Sequence, residues 1–254
     1  AMMEQQANRI ERRQCDVLVI GGGPAGCTVA PFLAEQGHRV VMLEKARHPR
    51  FHIGESLLPA NLPLFERMGI ADEVKAIGML KPGAEFVSPH HDASSVFHFA
   101  EAWDKTMPFA YQVRRDEFDT ILIRNAERKG VEVHEGCKAR GVDFLPDQTV
   151  LVRARHDDGS EIEWHARFLV DASGRDTFLA NRFQIKHRNP RHNSSAIYGH
   201  FAGAKRNPGQ AAGNITIFWF EHGWFWFIPM RDDVTSIGMV TWPYYMKTKG
   251  ERSL

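Results

Sequence analysis

A double change of periodicity over residues 15–45 constrains the fold of this chain more than any other feature. The segment reads CDVLVIGGGPAGCTVAPFLAEQGHRVVMLEK. Its two short apolar runs, residues 17–20 and 40–43, suit strands that are buried on both faces, and a helix-length segment separates them. A strand–helix–strand unit of this kind predicts an α/β fold with a parallel sheet.

The turn between the first strand and the helix places Gly21, Gly23 and Gly26 at G-x-G-x-x-G spacing. The first glycine permits a tight turn, the second lets a pyrophosphate approach the backbone, and the third lets the helix pack closely on the strand. Glu44 ends the second strand, where its carboxylate can accept a hydrogen bond from a ribose hydroxyl. The agreement of these features favours a Rossmann-like dinucleotide site over a glycine turn without a ligand, but it does not separate FAD from NAD.

Local signals predict several further elements. Pro31 implies a kink or an early stop in the first helix. Asn61 is a candidate N-cap for a helix that Gly69 ends, and the segment RRDEFDTILIRNAERKG predicts a second helix that ends at Gly130. Asp158-Gly159 is typical of a hairpin turn.

An apolar strand enters a small-residue turn at residues 171–174, which read D-A-S-G. On its own such a turn is more often ordinary than functional. Its position, after a strand that can rejoin the parallel sheet, makes Asp171 and Gly174 candidates for contact with the same nucleotide.

From Ser195 onward, short extended runs alternate with polar or glycine turns, which predicts an antiparallel sheet. We therefore expect a dinucleotide-binding domain over residues 14–85 and 110–185. An antiparallel β-sheet substrate region over residues 86–109 and 186–254 is interleaved with it.

An aromatic hairpin, IFWFEHGWFWFIPM, lies in this second region. Alternation places Trp224, Trp226 and Ile228 on one face of the second strand and the phenylalanines between them on the other. Pro229 predicts that the strand ends or lies at an edge. The hairpin is either a core packed with rings or a wall between a cofactor and a substrate cavity.

Composition excludes several classes of function. With 32 basic and 31 acidic residues, the formal net charge is +1, so neither nucleic acid nor an anionic membrane surface is an expected partner. No run of residues is long and apolar enough to span a membrane, and the polar start does not resemble a secretory signal. Three widely spaced cysteines suit a reducing cytoplasm. His90, His91 and His98 lack ligand spacing, so we expect no metal site.

Three motifs together resemble the flavin-dependent halogenases, within the FAD-dependent aromatic hydroxylase-like superfamily. They are Gly21–Gly26, Gly54-Glu55-Ser56 in PRFHIGESLLP, and the W-x-W-x-I-P arrangement that ends at Pro229, with Ser236 and Gly238 completing an F-x-P and S-x-G pattern. The PRFHIGESLLP version is similar to enzymes with phenolic, pyrrolic or carrier-tethered substrates. The resemblance covers residues 15–242.

The resemblance implies an oxidoreductase that uses reduced FAD, supplied by a separate flavin reductase, with oxygen and a halide ion such as chloride. Hypohalous acid would then be guided to the catalytic Lys81 and halogenate an electron-rich aromatic or carrier-tethered substrate of secondary metabolism. Trp224, Trp226, Ile228 and Pro229 would form the barrier between flavin and substrate. The residues implied to bind FAD are Gly21, Gly23, Pro24, Ala25, Gly26, Glu44, Lys45, Gly54, Glu55, Ser56, Arg115, Asp171 and Gly174.

Two alternatives stay open at this point. A flavin aromatic hydroxylase, a monooxygenase, would oxidise NADPH itself and transfer oxygen directly to the ring. A truncated flavin-binding module would have no activity. The second is relevant because the chain ends at Leu254, where the family pattern continues, so we expect the C-terminal part of the family architecture to be missing.

Overall fold

The computed structural model describes residues 10–247, which form two units. Residues 10–51 and 119–186 belong to the first unit, and residues 52–118 and 187–247 belong to the second. The chain therefore crosses between units near residues 51, 118 and 186. The sequence placed the corresponding changes at residues 85, 110 and 185, and the assignment of each region to FAD or to substrate stays a prediction. Residues 248–254 of the predicted substrate region lie outside the described residues.

The described chain contains both β-strands and α-helices. The strands are β1 Glu11–Ile20, β2 Val40–Glu44, β3 Met79–Lys81, β4 Gly83–Val87, β5 Ser94–His98, β6 Ala110–Gln112, β7 Glu132–Glu135, β8 Cys137–Phe144, β9 Val150–His156, β10 Glu161–Asp171, β11 Ser195–Ala202, β12 Ile215–Phe220, β13 Gly223–Pro229 and β14 Val234–Thr241. The α-helices are α1 Pro24–Glu35, α2 Leu62–Met68, α3 Ala71–Ile77, α4 Arg115–Arg128, α5 Phe178–Arg182 and α6 Pro243–Lys247.

The first unit is built on a six-stranded sheet with the order β7-β2-β1-β10-β9-β8. The strands β7, β2, β1 and β10 run parallel, whereas β9 and β8 continue the sheet antiparallel. All five residues of β2 are buried, as expected for a strand covered on both faces. The predicted hairpin at Asp158-Gly159 joins β9 to β10, and Gly159 has the positive φ, +86°, that such a turn requires.

The first helix runs through its proline. Pro31 lies inside α1, which continues to Glu35, so an early stop at this residue is wrong. The predicted α2 is confirmed and ends at Gly69 in the left-handed conformation. Asn61 is its N-cap by position, but its side chain does not cap α2. Its Oδ1 atom instead accepts a hydrogen bond from the Leu58 backbone N–H.

The second unit contains a six-stranded sheet with the order β11-β14-β13-β12-β4-β5. Every neighbouring pair is antiparallel except β4 and β12, which are parallel. A separate two-stranded sheet pairs β3 with β6. The predicted fold class, a Rossmann-like parallel sheet with an interleaved antiparallel region, is confirmed, with the parallel β4–β12 pair as a refinement.

Three further observations concern the described residues alone. No helix within residues 10–247 is long and apolar enough to cross a membrane. Among the same residues there is no group of three or more histidine, cysteine, aspartate or glutamate side chains that could hold a metal ion. Cys15, Cys27 and Cys137 are all buried and free.

Candidate functional site

Two glycines of the first-unit turn leave no room for a side chain. A Cβ atom on Gly21 would lie 2.2 Å from the carbonyl oxygen of Ala172, and Gly21 has a φ of +107°. A Cβ atom on Gly26 would lie 1.9 Å from the carbonyl oxygen of Gly21. These positions let β1, β10 and α1 approach closely, as the glycine spacing predicts.

Gly23 differs from these two glycines because its side-chain direction is open. Among the described residues, a Cβ atom there would meet only Arg50 Nη2, at 3.9 Å. Gly23 is the N-cap of α1, with an extended backbone at φ −82°, and no side chain of the described chain caps the helix. Pro24 and Ala25 form the first turn, which contains no acidic residue. A helix start whose backbone N–H groups are not capped by a side chain is suited to binding an anion.

Glu44 is buried at the end of β2 and shapes the glycine turn directly. Its Oε2 atom accepts a hydrogen bond from the Gly22 N–H at 2.6 Å, and its Oε1 atom accepts one from the Ala46 N–H at 2.7 Å. Each carboxylate oxygen keeps a further lone pair, so the predicted ribose contact is compatible with these bonds but stays a prediction. Lys45, next in the chain, forms an ion pair with Asp176.

The D-A-S-G turn lies beside the glycine turn, because β1 and β10 are parallel neighbours whose last residues, Ile20 and Asp171, are paired. The Asp171 carboxylate accepts hydrogen bonds from the backbone N–H groups of Ser173 and Leu179, at 3.0 and 2.8 Å. Burial raises the pKa of Asp171, but a side-chain hydrogen bond from Ser173 and these two backbone bonds together outweigh it and hold the pKa below its usual value. The ionised carboxylate therefore organises the turn around Gly174, whose φ is +61°.

In the second unit, the Gly54-Glu55-Ser56 turn is held by Arg115. The Arg115 Nη1 atom donates to the carbonyl oxygens of Ile53 and Gly54, at 2.9 and 3.3 Å. Gly54 has a φ of +108°, and a Cβ atom there would lie 2.9 Å from the same nitrogen. Arg115 was predicted to contact FAD. The structure gives it a bracing role in the turn, and contact with the cofactor stays a prediction.

Glu55 points inward, with no exposed surface. Its Oε1 atom lies 2.8 Å from Nε2 of His200 on β11. A buried carboxylate needs a polar partner, and His200 supplies one.

The side chain of Ser56 caps neither the turn nor the helix that follows it. Its hydroxyl is buried without a hydrogen-bond partner in the described chain, and its backbone forms an isolated bridge with Gln112 on β6. The Oε1 atom of Gln112 is likewise buried and unpartnered among these residues.

Lys81 ends β3 and is only 3% exposed. Its Nζ atom donates a hydrogen bond to the carbonyl oxygen of Leu57, at 2.8 Å, and lies 5.3 Å from the centre of the Phe99 ring. Burial lowers the pKa of this amine from 10.5 to about 8. The structure therefore places the predicted catalytic lysine against the segment that follows Ser56, in a dry environment, and not at the surface.

The buried amine of Lys81 makes stability depend on pH. Between about pH 8 and 10.5 the unfolded chain binds more protons at this position than the folded chain, so the penalty for burying the charge is largest below pH 8 and fades as the pH rises. We expect Lys81→Met to raise the free energy of unfolding at pH 7 by about 1–2 kcal/mol, and the gain to vanish near pH 10.5. Urea unfolding across this pH range measures the difference.

The exposed Lys75 in α3 provides a matched control. Lys75→Met should change stability by the same small amount at each pH, because this amine is in water in both states. A gain for Lys81→Met that does not shrink with rising pH would contradict the assigned burial of a charged amine.

The tryptophan face of β13 is explained by its neighbours on β14. Trp226 donates its indole N–H to the hydroxyl of Ser236, at 3.1 Å. Gly238 lies opposite Trp226, and a Cβ atom there would approach the indole ring to 2.2 Å. The S-x-G pattern therefore accommodates the tryptophan. Trp226 forms a buried cluster with Ile228 and Met230, against which Trp224 and Ile53 pack.

The opposite face of the hairpin is also as predicted. Phe227 packs edge to face with Phe218 on β12, with ring centres 5.0 Å apart. Pro229 ends β13, which lies between β12 and β14 and not at an edge. Because Ile53 belongs to the segment that precedes Gly54, two motifs that are distant in sequence meet in one cluster of the second unit. A role for this cluster as a barrier stays a prediction.

Sequence reasoning missed His200 and Gln112. Both lie in segments whose pattern indicates only a strand, and neither has a neighbour in sequence that marks it as functional. Their positions depend on pairings between distant strands. A buried carboxylate at Glu55 would have required a partner, but no signal in the sequence selects His200 among thirteen histidines.

Comparison with known proteins identifies the type of molecule to which this arrangement is similar. The family described as FAD binding domain matches residues 14–253. The chain is 38% identical to flavin-dependent halogenase armH3 of Armillaria mellea, over 89% of this chain and 46% of that protein. It is 33% identical to a tryptophan 2-halogenase of Chondromyces crocatus, over 92% of this chain and 44% of that protein.

Two further similarities point the same way. The chain is 32% identical to a 1H-pyrrole-2-carbonyl-[peptidyl-carrier protein] chlorinase of Pseudomonas fluorescens, over 89% of this chain and 55% of that protein. The structure of the myxobacterial chondrochloren halogenase CndH superimposes with a TM-score of 0.85 at 40% identity, covering 94% of this chain and 55% of that one. This chain thus spans about half the length of the relatives that it matches.

Proposed function

This chain belongs to the FAD binding domain family and is similar to flavin-dependent halogenases, and from that premise we propose that it carries the flavin site and the catalytic lysine of such an enzyme. The proposed reaction is the FADH2- and O2-dependent halogenation of an electron-rich aromatic or carrier-tethered substrate, with hypohalous acid guided to Lys81. The observation that carries the proposal is the placement of Lys81. Its amine is buried and held by the Leu57 carbonyl oxygen, directly after the Gly54-Glu55-Ser56 turn.

The residues of the first unit fit FAD. The open Cβ direction of Gly23 leaves space beside the uncapped start of α1, where the N–H groups of Ala25 and Gly26 can bind a pyrophosphate. Glu44 would accept from a ribose hydroxyl. Asp171 and Gly174 lie beside the same turn, Lys45 follows Glu44 in the chain, and all three would contact FAD. In the second unit, Arg115 holds the Gly54-Glu55-Ser56 turn, and these four residues are included in the proposed FAD site. When bound in its reduced form, FAD supplies the electrons with which oxygen oxidises halide to hypohalous acid.

Lys81 would orient the hypohalous acid. Its ammonium form donates hydrogen bonds to an oxygen, and with a pKa of about 8 a part of the population is the neutral amine near physiological pH. Trp224, Trp226, Ile228 and Pro229 would separate the flavin from the substrate ring, which prevents direct oxygen transfer. This chain would thus separate the flavin from the substrate and orient the hypohalous acid.

The partners follow from the same proposal. A flavin reductase would deliver reduced FAD, and a halide ion would be the co-substrate. One similar protein is named for a pyrrole group on a peptidyl carrier protein and another for tryptophan, so a ring presented on a carrier protein is a candidate substrate. A cytoplasmic location stays a prediction.

The proposal is tested by the co-substrates that turnover requires. Purified chain loaded with FAD is supplied with a flavin reductase, NADH, a halide and a phenolic or pyrrolic ring, and each component is then omitted in turn. We expect modified ring only when reductase and halide are both present. Substrate-stimulated NADPH oxidation without a reductase would instead indicate an aromatic hydroxylase, and bound FAD without any product would indicate a non-catalytic module. Either result overturns the proposal.

A further inference from the structure

Gln112 lies between the two segments that meet at the Lys81 amine. It is the last residue of β6 and has no exposed surface. On one side of β6, Gln112 pairs with Met79 of β3, the strand that ends at Lys81. On the other side, its backbone forms the bridge with Ser56. Gln112 therefore joins the strand that carries the amine to the segment that supplies its acceptor, the Leu57 carbonyl oxygen.

The acceptor side of this arrangement is held by backbone atoms. The Leu57 N–H donates to the Tyr111 carbonyl oxygen at 3.0 Å, and the Val113 N–H donates to the Glu55 carbonyl oxygen at 2.8 Å. These two bonds lie on either side of the bridge at Gln112. Because they involve the backbone alone, the position of the acceptor does not depend on the Gln112 side chain.

The Gln112 side chain binds a third segment of the second unit. Its Nε2 atom donates a hydrogen bond to the Gly213 carbonyl oxygen at 3.1 Å. Gly213 ends a short 3₁₀ helix, Gly209–Gly213, and is itself buried. A buried carbonyl oxygen that loses its donor destabilises the folded arrangement around it. The Gln112 amide therefore stabilises the position of this helix.

Gly213 in turn packs on the backbone at Lys81. A Cβ atom on Gly213 would lie 1.6 Å from the carbonyl oxygen of Leu80 and 3.5 Å from Cδ of Pro82. Leu80 and Pro82 are the residues on either side of Lys81. The segment that ends at Gly213 thus covers β3 at the position from which the catalytic amine of the proposed function projects.

We propose that Gln112 is a positioning residue for Lys81. Its amide holds Gly213 against the two residues that flank Lys81, and this contact keeps water away from the amine and keeps the amine on the Leu57 carbonyl oxygen. The inference rests on the proposed function only for its effect on the reaction, because the burial of Lys81 is a property of the chain without FAD.

NMR titration of the chain without FAD tests the inference on the amine itself. Lysine with ¹³C at Cε is incorporated, and the Lys81 resonance is identified by its absence in Lys81→Met. In the parent we expect a titration midpoint near pH 8, since burial lowers the pKa of this amine to about 8. Gln112→Met keeps the length of the side chain and removes the donor. We expect it to raise the midpoint by at least about one pH unit, because water then reaches the amine.

A parental midpoint in Gln112→Met would overturn the inference. If Gln112→Met does not fold, Gln112→Asn takes its place, because it keeps an amide but shortens it by one methylene group, away from Gly213. The same direction of shift is expected, and its absence would overturn the inference equally.

Thr241→Val is the matched control. Thr241 is buried on β14, and its hydroxyl donates to the His222 carbonyl oxygen at 2.6 Å, so this variant also removes a side-chain bond to a backbone carbonyl of the second unit. It should lower the Tm and leave the Lys81 midpoint at the parental value. An equal shift in both variants would indicate general loosening of the unit and would contradict the assigned role of Gln112.

The halogenation assay separates this inference from the proposed function. Gln112→Met should lower the product rate at least about tenfold, because a misplaced catalytic group loses its orientation. FAD affinity should stay unchanged, since the backbone bridge to Ser56 is retained. A raised midpoint with a parental product rate would overturn the catalytic role of Lys81 and support the positioning role of Gln112.

Discussion

Lys81→Ala is expected to lower the halogenation rate by at least about 10²-fold while FAD affinity stays unchanged, because a positioned donor or acid contributes an effect of this size. The expected effect follows from the position of the Lys81 amine, which is isolated from water. It is buried, it donates to the Leu57 carbonyl oxygen, and its pKa is lowered to about 8. Product formation is measured with a reductase and a halide, and FAD affinity is measured by absorbance titration of the same preparation.

Lys75→Ala controls for the loss of a lysine as such, since Lys75 is exposed on α3 and lies in neither proposed site. It should retain the parental rate. A Lys81→Ala protein that forms product at the parental rate would remove the catalytic role, and one that also loses FAD would indicate a structural role instead.

Gly23→Ala is expected to weaken FAD binding by at least about tenfold, which corresponds to about 1.4 kcal/mol, without lowering the Tm of the chain free of FAD. The backbone at Gly23, with a φ of −82°, accepts alanine, and the added Cβ atom meets nothing closer than Arg50 Nη2 at 3.9 Å. The new methyl group therefore enters only the space where a pyrophosphate is expected. Flavin titration and thermal unfolding of the apoprotein provide the two readouts.

Gly26→Ala is the contrasting variant, because its Cβ atom would lie 1.9 Å from the Gly21 carbonyl oxygen. It should lower the Tm of the apoprotein, since strand and helix must separate to admit the methyl group. If Gly23→Ala unfolds like Gly26→Ala, or binds FAD as tightly as the parent, the assigned phosphate position is wrong.

The first unit was largely predictable because its signals are local. The glycine spacing, the two apolar runs and the terminal Glu44 all lie within about 30 residues, and each has a direct steric or hydrogen-bonding cause. The structure adds a contact that the local sequence signals could not predict. Glu44 bonds to the backbone of the turn that it was predicted to serve, which requires the fold to be formed.

In the second unit, the sequence predicted which side chains share a face of a strand, but it did not predict which strands pair. Alternation correctly separated Trp226 from Phe227, because side chains on a strand change sides with each residue. It could not indicate that β4 joins β12 in parallel, or that Glu55 meets His200 across 145 residues of sequence. The predicted domain boundary at residue 85 differs from the division of the structure near residue 51, and the assignment of each region to FAD or to substrate stays a prediction. Residues 83–87 have an ordinary strand pattern, so the sequence does not indicate the sheet to which they belong.

The mass of the ring product tests the central claim most directly. Parent protein is turned over with FAD, a reductase, oxygen and chloride, then with bromide in place of chloride, and the product is analysed by mass spectrometry. If halide is oxidised to hypohalous acid and Lys81 directs that acid to the ring, the product carries the isotope doublet of chlorine in the first reaction. In the second reaction it carries the doublet of bromine. A product that gains a single oxygen atom in both reactions would contradict the account.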